Sequence, residues 1–380
     1  MRQLLVVLAA LAGVPGLLLG QSSQFGVRGL GLPIRPISPR ALATGGAFSF
    51  FDVESSFNPA SIGGVTTFTS LFTTSQNFRH SENPFGTSSG RDARFPLMFA
   101  AGPVGGTNLA VSVSVSGYTD RSFALGSRDS ITLGGSRMAV FDTLSSKGGL
   151  SDLRGAVAWR ATSSLTFGLG LHVITGTNRI TNRRVFGDST FVTATETSDL
   201  SYLGLGADLG VMLRVGSKLA LSGLARTDGH LNIDRDSTRI GATDLPNTFG
   251  FGARFQPSPR LGLAAYGVRK GWSAADPDIK DQGGIAALDS YDVGAGVELV
   301  RNPKQPASRP LRFGVRYATL PFPVVAGKQA HEFGLSAGTG VRFTAGRGGI
   351  DVAVEQIWRS DGGTFSERAT VITLGLSIRP

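Results

Sequence analysis

The chain contains no cysteine, which excludes disulfides, thiolate metal sites and cysteine nucleophiles. Charged residues are only 17% of it, below the roughly 25% usual in soluble domains. Aromatics are also sparse, at 8%. Helical periodicity is missing, although the chain is far longer than one small domain needs. Beyond the N-terminus no apolar run approaches the ~20 residues of a membrane-spanning helix. The net charge of +10 is scattered through the sequence. No Lys/Arg-rich run or aromatic-interleaved basic patch stands out, so a nucleic-acid partner is not expected.

What the chain does have is alternation. From Leu203 to Val215 every second residue is apolar: Leu203, Leu205, Ala207, Leu209, Val211, Leu213 and Val215. Between them lie Gly204, Gly206, Asp208, Gly210, Met212 and Arg214. A strand turns successive side chains to opposite faces, so one face here is greasy and the other small, polar or charged. Similar stretches recur at 66–78, 95–101, 109–118, 153–160, 165–175, 202–215, 219–226, 247–255, 261–268, 291–300, 311–318, 332–343, 350–358 and 370–378. About fourteen alternating strands read as an all-β fold, a transmembrane antiparallel β-barrel with lipid outside and water inside.

The links carry independent information. Short turn-forming links at 103–106, 161–164, 216–218, 256–260, 301–310 and 344–349 alternate with long polar links near 79–94, 119–152, 176–201, 227–246, 269–290 and 319–331. Outer-membrane barrels have short periplasmic turns and longer outer loops. The rhythm predicts an even strand count with both termini periplasmic, in the cell outer membrane of a diderm bacterium. Arg2 followed by an apolar stretch from Leu4 to Leu19, broken by Gly13, Pro15 and Gly16, reads as a signal peptide over 1–20. Residues 21–64 are rich in Gly, Pro and Ser without alternation. They form the expected hatch, and 65–380 the barrel.

Energetics fixes which face looks outward. Placing Phe249, Phe251, Ala253 and Phe255 outward puts Arg254 inside, and placing Leu311, Phe313, Val315 and Tyr317 outward does the same for Arg312 and Arg316. The opposite register would put each arginine in lipid, at about 2–4 kcal/mol near the midplane. The inward charged set is then Arg154, Arg160, Asp208, Arg214, Arg254, Asp292, Glu298, Arg312, Arg316, Glu332, Arg342, Asp351 and Glu355. Its mixed signs predict pairing along the wall. Arg214, Arg254, Arg312, Arg316 and Arg342 are also candidate contacts for an acidic ligand head group. Glycine pairs such as Gly168 with Gly170 and Gly338 with Gly340 sit inside strands. That excludes a dinucleotide loop and suits room for a plug or strand curvature. The histidines His80, His172, His230 and His331 lack metal-ligand spacing. His230, close to Asp228 in a predicted outer loop, is not accompanied by a local nucleophile. No catalytic residue, metal or cofactor is expected.

The sharpest local motif lies in the non-alternating segment: Gly45, Gly46, Ala47, then Asp52, then Asn58, Pro59 and Ala60 just before the first strand. The paired glycines permit a tight backbone path, and Asn-Pro favours a turn. These residues resemble the N-terminal motif of the long-chain fatty-acid transporter family of outer-membrane barrels, which includes relatives associated with protein secretion. The resemblance implies a fourteen-stranded barrel plugged by an N-terminal hatch. It departs from the family where Phe51 precedes Asp52 in place of paired acids, where Ser61 replaces a glycine, and where the chain ends Ser377, Ile378, Arg379, Pro380 without a terminal aromatic. The expected function is passive uptake of hydrophobic or amphipathic, fatty-acid-like small molecules through the outer membrane. The rival is a binding or scaffold barrel that holds secreted proteins or secretion machinery. Lipid of the outer membrane is a partner in either case.

Overall fold

The computed structural model describes residues 23–379 except 134, 189, 282–283 and 303–308; the expected leader at 1–20 lies outside the described residues. Alternation becomes wall. Fourteen antiparallel staves close into a barrel. In chain order they are β1 (Thr69–Asn83), β2 (Gly86–Arg94 and Leu97–Pro103), β3 (Leu109–Asp120, continued by Phe123–Leu133), β4 (Ser136–Arg160), β5 (Leu165–Phe186), β6 (Ala194–Val215) and β7 (Leu219–Thr227 and His230–Arg235). There follow β8 (Thr238–Asp244 and Asn247–Ser258), β9 (Leu261–Gly271), β10 (Ser290–Leu299), β11 (Leu311–Thr319), β12 (His331–Phe343), β13 (Gly348–Ser360) and β14 (Ser366–Ile378). β14 pairs with β1, for example Leu376 with Phe72, and that pairing closes the ring.

The faces follow the parity read from the sequence. Leu203, Leu205, Leu209, Val211, Leu213 and Val215 are exposed on the outer wall, as are Phe249, Phe251 and Phe255 and the row Leu311, Phe313, Val315, Tyr317. Arg312, Arg316, Asp208, Glu332 and Asp351 are buried inside.

Most of the expected long polar links are not loops. Residues 79–94 form a tight hairpin, while 123–133 with 136–147, 176–186 with 194–201, and 230–235 with 238–244 continue the ladders of β3 through β8 well past the apolar band. Alternating hydrophobicity marks only the part of a strand facing lipid. Beyond it both faces meet water, so the hydrogen-bonded ladder continues without leaving that pattern. Genuine non-strand links at this end are 272–289, with a short helix at Asp276–Asp281, and 320–330. The opposite, short-turn end matches its expected boundaries closely.

Residues 23–65 run inside the barrel and are largely buried. Inner-face glycines make space for them. A Cβ at Gly168 would fall on the Pro59–Ala60 peptide, one at Gly314 on the backbone of Thr44 and Gly45, and one at Gly338 on Ala43. Glycine in a strand often marks such a close approach of another backbone.

Candidate functional site

The motif residues are held by local caps and by the wall. Ser38 caps the short helix Pro39–Leu42, its hydroxyl accepting the Ala41 N–H at 3.1 Å with Pro39 at the first helical position; both features favour a helix start. The same hydroxyl donates to Asp52, which also accepts from Ser55 at 3.1 Å. Gly45 and Gly46 adopt φ of +65° and +93°, a conformation that a side chain would strain. There the Gly45 N–H donates to Ser336 at 2.9 Å and its carbonyl accepts from Tyr266 at 3.3 Å. Ala47 is fully buried beside Phe48 and Phe50. Asn58 caps Pro59–Gly64 by accepting from the Ala60 N–H at 3.0 Å, and its amide donates to Ser222 on β7. All seven motif residues therefore lie in one stretch fastened to the inner wall.

Around this stretch runs a belt of buried ion pairs. Arg312 donates to Glu298 at 2.8 Å and to Asp351 at 2.7 Å; Arg342 donates to the other Asp351 oxygen at 2.6 Å. Arg316 pairs with Asp292 at 2.8 Å and with Glu332, which also receives Arg359. Of the five arginines proposed for a ligand head group, these three are thus committed to carboxylates of the wall. Arg254 and Arg214 are not. Arg254 donates to Gln256 at 3.2 Å and lies 5.3 Å from the Phe48 ring centroid. Arg214 is exposed at the short-turn end of β6.

Sequence reading missed the partners that the N-terminal segment contributes. Arg40, just ahead of the motif, donates to Glu298 at 2.6 and 2.9 Å, and Arg35 pairs with Glu355. Glu54 receives Arg379 at 2.7 Å. The signal was present as charges in a stretch too apolar for a solvated linker. The histidines also resolve differently. His230 pairs with Asp244, not Asp228, because Asp228 is buried and engages Arg226 and Tyr118. His172 is wedged between Asp152 at 2.9 Å and Asp208 at 3.2 Å.

Above the belt, at the long-loop end, lies an apolar cluster. Trp272 and Ile279 from the link 272–289, Phe322 from the link 320–330 and Leu30 from the N-terminal segment pack on Ile174, Leu231 and Ile233 of the wall. Tyr118 of β3 borders it. Here the wall is interrupted. β2 and β3 pair only from Leu97 with Ser116 down to Pro103 with Ala110. Pro96 has no N–H to continue the ladder, and the register of β3 slips between Gly117 and Thr119. Above that point Gly86–Arg94 pairs with β1 alone, and Phe123–Leu133 with β4 alone. The free edge of β3 is taken by the N-terminal segment: Leu32 and Pro33 register with Asp120 and Thr119, and the Ile34 N–H donates to the Tyr118 carbonyl at 2.9 Å. Arg94 and Asp120 bridge the seam. Immediately below it, on the lipid face, lies a groove of about 790 Å³ lined by Phe72, Met98, Val113, Val115, Leu153 and Leu171, among others.

A closed fourteen-stave barrel, occupied by its own N-terminal segment and interrupted at one seam, defines a class of membrane β-barrel. No family model and no curated protein sequence matches the chain. Solved structures do. A Pseudomonas aeruginosa FadL homologue is similar at a TM-score of 0.63 and 10% identity, over 92% of this chain and 99% of that one. The CymD monoaromatic hydrocarbon channel is similar at 0.58 and 15% identity, over 90% and 97%. The Pseudomonas putida toluene transporter TodX is similar at 0.56 and 13% identity, over 91% and 98%. The chain has the fold of these FadL-like outer-membrane barrels.

Proposed function

We propose that the chain is an outer-membrane channel for passive passage of hydrophobic or amphipathic small molecules. The carrying observation is the alignment of three features: the apolar cluster around Trp272, the seam beside Tyr118, and the groove on the lipid face beneath it. Travel straight down the lumen would require separating buried ion pairs, each costing about 3–5 kcal/mol when broken. Sideways travel requires that the strand at Leu32–Pro33 leave the edge of β3, a few hydrogen bonds at about 0.5–1.5 kcal/mol each, and that the single partly exposed Arg94–Asp120 pair across the seam separate. An apolar cargo therefore takes the lateral route. The fold shared with a monoaromatic hydrocarbon channel and a toluene transporter supports such a cargo.

In this reading residues 21–64 act as a hatch, and the short turns and both termini face the periplasm. A cargo with a carboxylate, fatty-acid-like, would reach Arg254 and Arg214 only by continuing past the seam toward the short-turn end, so these arginines are contacts that retain such a cargo and not steps on the lateral route. The test reconstitutes the full chain and a variant lacking residues 25–62 in vesicles and follows toluene and fatty-acid flux alongside conductance. Removal should alter flux or open a large conductance; if neither changes, the hatch role is wrong. Stable co-purification of large secreted proteins, with no flux of either probe, would favour the scaffold instead.

A further inference from the structure

The turns at the short-turn end are all of one sign. Residues 104–108, 161–164, 216–218, 259–260, 300–310, 344–347 and 379–380 contain Lys218, Arg260, Arg301, Lys304, Arg309, Arg347 and Arg379, and no Asp or Glu at all. The links at the other end mix signs, with Asp276, Asp278 and Asp289 beside Lys280 in one of them. Among the described residues, Lys218, Arg260, Arg301, Arg309 and Arg347 stand on this rim, at the depth of the lipid head groups, where basic residues attract anionic lipid.

One part of this rim is more than a field. Arg301 and Arg309, at the two ends of the link between β10 and β11, stand exposed over a groove of about 490 Å³ on the lipid-facing wall. Its floor is Leu311, Thr339, Val341, Ile350 and Val352. These are cross-strand neighbours: Leu311 faces Thr339, Thr339 faces Val352, and Val341 faces Ile350. The Thr339 hydroxyl donates to the Pro310 carbonyl at 2.7 Å, so the floor presents no unsatisfied polar group. The two larger wall grooves differ. In one the only basic side chains are the inward-facing Arg154 and His172, and in the other Arg269 is already paired with Asp289 at 2.6 Å.

We propose that this groove is a binding site for an anionic phospholipid, with the phosphate between Arg301 and Arg309 and an acyl chain along Leu311, Val341 and Ile350. Charge complementarity fixes the head group, and the apolar floor, continuous with the lipid-facing wall, fixes the tail. A soluble acidic protein would satisfy the arginines but leave the floor unused. The site rests on the membrane-barrel reading and is independent of what the channel conducts.

The experiment uses the full chain in mixed micelles of phosphatidylcholine and phosphatidylglycerol, with retained lipid counted by native mass spectrometry. Wild type should retain phosphatidylglycerol preferentially. Arg301→Gln with Arg309→Gln should reduce that preference at least fivefold, whereas Lys218→Gln with Arg260→Gln, the same charge change elsewhere on the rim, should keep it. Absence of preference in wild type, or equal loss in both double variants, overturns the site. Heat-modifiable gel mobility verifies that each variant is a folded barrel. Failure of the wild type to insert into vesicles would count against the barrel reading itself.

Discussion

The Ile34 N–H donates to the Tyr118 carbonyl at 2.9 Å, so the N-terminal segment serves as an additional strand on an edge of β3 that β2 leaves bare. This bond sits at the seam, between the apolar cluster and the lipid-facing groove. Replacing Ile34 by Pro removes the donor and should weaken the seam by about 0.5–1.5 kcal/mol, up to about tenfold in open population. Hydrogen exchange at residues 118–120 should accelerate and toluene flux should rise. Unchanged exchange together with unchanged flux would sink the lateral route.

Two inward arginines should respond oppositely to truncation. Arg316→Ala leaves Asp292 without its arginine and Glu332 with Arg359 alone, at a cost of about 3–5 kcal/mol, and should lower the temperature of heat-modifiable unfolding markedly. Arg254→Ala leaves no carboxylate behind and forfeits mainly its contact with Phe48, about 0.5–1 kcal/mol. It should instead reduce retention of a fatty acid relative to the corresponding alcohol. Equal retention of both in wild type and variant would remove Arg254 as a head-group contact.

Gly314→Val should dislodge the motif. Its side chain would occupy the space of Thr44 and Gly45, and such overpacking costs about 1–3 kcal/mol. Trypsin should then cleave after Arg40, a bond otherwise protected inside the barrel. Gly105→Ala, where no atom lies within 4 Å, is the matched control and should leave Arg40 protected.

The link 272–289 should loosen in acid. Lys280 and the Ala287 N–H hold Asp276 below its usual range. Burial works to raise Asp289, but hydrogen bonds from Ser273 and the ion pair with Arg269 outweigh it and leave it lowered as well. Carboxylates lowered by folding contribute stability above their unfolded pKa and lose it as pH falls through the folded value. Trp272 fluorescence should thus stay constant from pH 8 to about 5 and change below about pH 4. A transition centred near neutral pH would contradict this assignment.

The outer wall was legible because lipid imposes a rule on every second residue: Phe249, Phe251 and Phe255 could face only one way once Arg254 was kept from the membrane. Pairing of the inward charges was legible from their mixed signs. Their particular partners were not. Arg40 meets Glu298 across 258 positions of sequence, and nothing local specifies that encounter. The lengths of β4, β5 and β6 were hidden for a different reason. Where both faces of a strand are wet, composition no longer distinguishes a hydrogen-bonded ladder from a loop. Asp228 and His230 illustrate the same limit, being close in sequence yet turned to different partners, Arg226 and Asp244.

The unequal lengths of the staves give the mouth a direction. β4 has 25 residues and β5 and β6 have 22 each, whereas β9 to β11 have 9 to 11. At about 3.4 Å per residue, the tall side rises tens of ångströms higher than the low side. The opening is therefore lopsided, like a scoop, screened by β3 to β8 and approachable across β9 to β14. In the proposed orientation, with the short turns toward the periplasm, an arriving molecule would reach the Trp272 cluster over that low sill, while one descending on the tall side would meet a polar screen first.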